Sequence, residues 1–126
     1  MKKDTKEIDY IYKYTRENAI QDGVLIDVTS LAKEAGFKWP VALTSAVWTD
    51  CVEWSQNDGT QDEKGRLWDV LFMGFLAIRK NQGTYLIYRV KNRTRITRPS
   101  TVGLQIVEGP GDNGEPVITI MFPGES

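Results

Sequence analysis

The chain reads as an α+β protein: helices with a short aromatic strand come first, and a three-stranded antiparallel β-meander follows, packed on a central hydrophobic helix. Three observations predict this. Leu67, Trp68, Val70, Leu71, Phe72, Met73, Phe75, Leu76 and Ile78 make one stretch apolar almost all round, as in a buried helix. After Gly83 the apolar period changes from helical to two, the spacing of a strand. Val102 to Val107 and Val117 to Phe122 flank Gly109-Pro110-Gly111-Asp112-Asn113-Gly114, whose glycines and Asn-Gly pair are hairpin chemistry.

The elements follow in chain order. Residues 1–7 are polar and charged and read as a frayed tail. Tyr10, Tyr12 and Tyr14 recur at a period of two, which predicts the short aromatic strand. Thr15 then caps a helix that ends at Gly23. Val24 to Ile26 is apolar, and Asp27 or Thr29 can cap a second helix closed by Gly36. Pro40 suits the first turn of a third helix, with Val41, Leu43, Val47, Trp48, Cys51, Val52 and Trp54 on its apolar positions and an end near Ser55. Ser55 to Gly65 is polar and acidic and reads as an exposed working loop. The fourth helix runs from Arg66 to about Asn81 and is stopped by Gly83. Beyond it, Tyr85, Ile87, Arg89, Lys91, Arg93 and Arg95 share one strand face, so that strand begins buried on both faces and becomes charged on one. Pro116 places the start of the last strand at an edge or a rim.

Composition narrows the function. A chain of 126 residues with 40% hydrophobic and 26% charged content fits one soluble domain spanning 1–126. The longest apolar run, Val70 to Ile78, is far short of a membrane span, and the opening residues lack the apolar stretch of a secretory signal, so a cytoplasmic, membrane-free protein is expected. The single cysteine, Cys51, allows no internal disulfide and fits a reducing compartment. With no histidine the usual general base and neutral metal ligand are missing, and one cysteine cannot complete a zinc site. The expectation is a protein without cofactor, metal or catalytic residues.

Charge is sorted along the chain. Arg79, Lys80, Arg89, Lys91, Arg93, Arg95 and Arg98 lie in one stretch without an acid, although the formal net charge is only −1. Acidic segments flank this ribbon: Asp50, Glu53, Asp58, Asp62, Glu63 and Asp69 before it, and Glu108, Asp112, Glu115 and Glu125 after it. A basic ribbon attracts an acidic partner, either nucleic acid or a protein surface, and many solvated strands carry the same pattern. No helix-turn-helix or strand-borne aromatic motif of a nucleic-acid binder accompanies it.

Tyr14-Thr15-Arg16, Asp22-Gly23-Val24-Leu25-Ile26-Asp27-Val28, Trp39-Pro40-Val41-Ala42-Leu43-Thr44, Gly65-Arg66-Leu67-Trp68-Asp69-Val70-Leu71 and Gly109-Pro110-Gly111-Asp112 together resemble a family of small uncharacterised proteins found widely on bacterial plasmids, integrative elements and phages. The resemblance covers nearly the whole chain. It implies a context, an accessory or anti-defence protein of a mobile element, and carries over no activity, cofactor or catalytic residue.

The candidate binding residues are therefore Arg89, Lys91, Arg93 and Arg95 on the basic strand, Trp39 as an aromatic anchor in the connector before Pro40, and Asp58, Asp62 and Glu63 in the acidic loop. Trp48, Trp54 and Trp68 sit at apolar helix positions and are expected in the core. Cys51 is expected to pack there too, and Asp69, inside an apolar helix, to pair with an Arg or with backbone amides. The function these residues suggest is a non-enzymatic binding protein of a mobile element, in stoichiometric contact with a protein or nucleoprotein complex, with inhibition of a host defence nuclease as one form. The alternatives are a carboxylate- and metal-dependent nuclease built on the acidic loop, and a direct nucleic-acid binder using the basic strand. An exposed edge of the meander also admits a homodimer.

Overall fold

A computed structural model of the chain describes residues 14–54, 62–90 and 99–125, with the backbone alone described at Tyr88, Arg89, Val90 and Pro99. Its elements are α1 (Arg16–Gln21), β1 (Leu25–Asp27), α2 (Thr29–Ala35), β2 (Val41–Thr44), α3 (Ser45–Val47), a π-helical turn (Trp48–Val52), α4 (Glu63–Arg79), β3 (Thr84–Val90), β4 (Pro99–Pro110) and β5 (Pro116–Met121). The strands form one mixed sheet in the order β1-β2-β5-β4-β3. Neighbours are antiparallel except β2 and β5, which run parallel with Val41 opposite Ile118 and Leu43 opposite Ile120.

The α+β class holds, but the sheet is larger than a three-stranded antiparallel meander. The last three strands pair antiparallel in succession, and β5 is the centre of the sheet rather than an edge because β2 adds to its free side. The helix expected from Pro40 is the source of the difference. Val41 to Thr44 is a strand, buried at its first three residues, and helical structure begins only at Ser45, where the Thr44 hydroxyl accepts the Val47 amide. A short apolar run has the same local pattern in a buried strand and in a buried helix. Here the decision is tertiary: the Pro40 carbonyl accepts the Ile118 amide, drawing the segment onto β5. The aromatic strand expected at Tyr10–Tyr14 falls outside the described residues except for Tyr14, which is exposed and donates its hydroxyl to Asp22.

Helix α4 organises the core. It starts earlier than expected because Asp62 caps it: the carboxylate accepts the Gly65 amide at 2.6 Å, the usual role of an Asp at this position. It ends in a left-handed Asn81 (φ 56°), with the Gln82 amide bonded back to the Ala77 carbonyl, so Asn81 rather than Gly83 makes the stop. Leu67, Val70, Leu71 and Ala77 face the sheet and meet Leu43, Leu104, Ile106 and Ile120 in one core. Gly74 lets the sheet come close, since a Cβ there would lie 3.0 Å from the Tyr85 hydroxyl. That buried hydroxyl donates to the Val70 carbonyl at 2.9 Å. On the α2 side, Gly36 (φ +120°) leaves room for the Phe75 ring, 2.7 Å from where a Cβ would sit, and Phe75 meets Phe37 edge to face.

On the far side of the sheet from α4, α1 is held by polar contacts. The Arg16 guanidinium donates to the Thr119 hydroxyl and the Ile118 carbonyl, both at 2.7 Å, while Asp112 accepts the Arg16 and Glu17 amides. The glycine-rich β4–β5 turn thus positions a carboxylate on the first amides of α1, which favour negative charge. Burial lowers the Arg16 pKa, and Asp27, Asp112 and Glu115 partly restore it.

Burial raises the pKa of the Tyr85 phenol above its ordinary value, so the unfolded chain releases this proton first. The stabilisation is complete below the unfolded pKa, about 10, and is lost as the pH rises above it. Tyr85→Phe should cost about 1 kcal/mol at neutral pH through the lost bond to Val70, and should flatten the alkaline fall of Tm, both measurable by thermal melts across pH.

Candidate protein-contact surface

A helix lying on a sheet needs only one apolar face, and α4 has two. Its inner face fills the core, yet Trp68, Phe72 and Met73 on the outer side are 36%, 40% and 40% exposed, and Leu76 beside them is half-buried. At 3.6 residues per turn, Trp68, Phe72 and Leu76 form one ridge. The Trp68 and Phe72 rings stack, 6.0 Å apart and 10° from parallel. Trp68 is expected in the core on its apolar helix position; it is instead exposed with the rest of the ridge, since no element among the described residues packs over this side of α4.

Asp69 is also corrected. It is exposed on the outer side and needs no buried partner. It was the one signal in the sequence that this side faces water, since an unpaired carboxylate is costly anywhere else in such a helix. The N-terminal end of α4 carries Asp62, Glu63 and Asp69 with Lys64 among them, and its C-terminal end carries Arg79 and Lys80, all exposed.

Trp68 also walls a groove of about 600 Å³ between α2 and the first turns of α4, with Glu34, Asp62, Lys64, Gly65 and Asp69 around it and Leu31 and Arg66 lining its depth. Arg66 is 7% exposed, a rare state for Arg that requires partners. Its Nε donates to the Val52 carbonyl at 2.9 Å, and its guanidinium lies 4.9 Å from the centre of the Trp54 ring. The Glu63 carboxylate accepts the Trp54 amide at 3.1 Å. Together these contacts clamp the π-helical turn to the start of α4. Among the described residues, the groove has Glu34, Asp62 and Asp69 around its opening with Lys64, and Arg66 in its depth directs its Nε to Val52.

Of the residues singled out from sequence, those described lie on separate elements, Asp62 and Glu63 excepted. Asp62 and Glu63 are brought together, but as the cap and first residue of α4, each carboxylate holding a backbone amide. Trp39 is 36% exposed in the connector after α2. Arg89 is on edge strand β3, opposite Ser100, with its side chain outside the described residues. Asp58, Lys91, Arg93 and Arg95 lie outside the described residues. At the start of β3, Tyr85 and Ile87 are buried in the core whereas Leu86 is 61% exposed, so the strand does not begin buried on both faces. Cys51 is buried in the core. Among the described residues no three Asp, Glu or Cys side chains converge as metal ligands, and no helix is long and apolar enough to cross a membrane.

Arg66→Lys should lower stability by about 1–3 kcal/mol in urea unfolding, because Lys keeps the charge and loses the planar group that both bonds Val52 and covers Trp54. A stability equal to the wild type would show that the clamp contributes nothing.

No curated protein and no solved structure matches the chain. A family model matches residues 1–126 in full, and the chain belongs to the family of unknown function DUF6573.

Proposed function

We infer that this is a non-enzymatic protein that acts by stoichiometric contact with a protein surface, through the outer face of α4. The observation that carries the reading is the stacked Trp68–Phe72 pair with Met73 on the solvent side of a helix whose other side fills the core. Helices apolar all round are covered ones, and aromatic and Met side chains are enriched where proteins meet. Each ring leaves roughly a third of its surface in water, so covering one withdraws on the order of 70 Å² and contributes about 2 kcal/mol at most. Two rings and Met73 fall short of a stable complex once the cost of association is included. Polar complementarity must add to them, and the charges along α4 and its groove supply it.

The acids at the groove favour a partner that is apolar with basic groups, and they would repel a phosphate backbone. Direct nucleic-acid contact would instead use the segment around Arg89 to Arg95. The nuclease alternative draws no support from Asp62 and Glu63, whose carboxylates are engaged by backbone amides. In the mobile-element setting that the sequence resemblance implies, inhibition of a host defence assembly, of the anti-CRISPR or anti-restriction kind, is one concrete form of such contact.

Replacing Phe72 with the photocrosslinker benzoylphenylalanine, with Val24, which is 50% exposed on the α1–β1 connection, as the control position, tests the reading in cells that carry the gene. A discrete protein adduct at 72 and not at 24 is expected. No adduct beyond the control, or adducts to nucleic acid alone, would overturn it.

A further inference from the structure

We propose that the partner on the outer face of α4 is a second copy of this chain, in an antiparallel, two-fold symmetric helix pair; this rests on the contact reading above and names its occupant. A two-fold interface must be complementary to itself. From Trp68 to Lys80 the outer face of α4 meets that condition: Asp69 lies towards one end and Arg79 and Lys80 at the other, with Phe72, Met73 and Leu76 between them, while Lys64 lies beyond this span at the groove beside α2.

Asp69 and Arg79 are ten residues apart, about 15 Å along the helix. A two-fold axis at the level of Gly74 makes residues on the same flank face one another when they lie about equally far on either side. Phe72 then meets Leu76 of the second copy, and, because Asp69 and Lys80 lie on one flank of the ridge and Trp68 and Arg79 on the other, Asp69 meets Lys80 and Trp68 meets Arg79, whose guanidinium can lie on the indole face. Between Trp68 and Lys80, Phe72 and Leu76 meet each other, and Asp69 and Trp68 each meet a base of the second copy. A parallel arrangement brings Asp69 onto Asp69 and Arg79 onto Arg79. The antiparallel one also sets the two helix dipoles head to tail. An unrelated partner would have to supply this alternation by its own sequence, whereas a second copy has it by symmetry.

Sedimentation of the purified full chain, with circular dichroism to confirm folding, tests this through charge exchange. The wild type should sediment as a dimer, and Phe72→Glu as a monomer. Asp69→Lys alone, and Arg79→Glu with Lys80→Glu, should each weaken the dimer roughly tenfold or more, since two exposed pairs change from attraction to repulsion. An equimolar mixture of the two charge variants should restore the dimer, because each then faces its opposite at both ends. These positions are exposed, so the variants should melt like the wild type. Failure of the mixture to restore the dimer, or a dimer insensitive to Phe72→Glu, overturns the proposal. A monomeric wild type whose position 72 crosslinks a different protein overturns the second-copy inference and leaves the contact reading standing; a monomer with no crosslink removes both.

Discussion

The packing of α4 onto the sheet is the constraint from which the rest of the structure follows. Val70 and Leu71 are fully buried against strands that come from both ends of the chain, and the missing Cβ of Gly74 leaves room for Tyr85 to reach the Val70 carbonyl. Removing a side chain such as Leu71 would open a cavity at the junction of helix and sheet, at a cost of about 2–5 kcal/mol. Because β5 is flanked by β2 and β4, the first and second halves of the chain close on one core. Among the described residues no element packs over α4 on the side away from the sheet, and its second apolar side is exposed there.

Polar contacts tie the smaller elements to that frame. Arg66 joins the π-helical turn to α4, and Asp112 with Arg16 joins α1 to the β4–β5 end of the sheet. Both arginines are substantially withdrawn from solvent, and both use the planar guanidinium to reach carbonyl or hydroxyl oxygens that a Lys could not serve together. Charge that composition presents as surface is therefore partly structural, Arg66 in the depth of the groove beside Trp68 being one case.

Much of the fold was legible in the sequence. The long apolar run, the change of period after Gly83 and the glycine-rich turn at 109–114 correctly indicate α4, β3 and the β4–β5 hairpin, because each is a local pattern with a local cause. Val41 to Thr44 was not legible as a strand, since its parallel pairing with β5 joins residues far apart in sequence and leaves no local mark. The candidate surface was missed for a related reason. Periodicity reports which positions of α4 are apolar, and Trp68 and Phe72 are; whether anything covers them depends on how many layers the chain can build. Asp62 and Glu63 were read as loop acids because the same residue types serve an exposed loop and a helix start.

The most direct test of the account is the reactivity of a single thiol placed on the outer face of α4. Cys51 is buried, so a maleimide should report mainly on an introduced cysteine. With Phe72→Cys, the account predicts rapid labelling of the dilute purified protein and strong protection inside cells, while Val24→Cys labels in both. Equal labelling of position 72 in cells and in dilute solution would mean that nothing covers this face, and would contradict the claim that α4 is where the protein does its work.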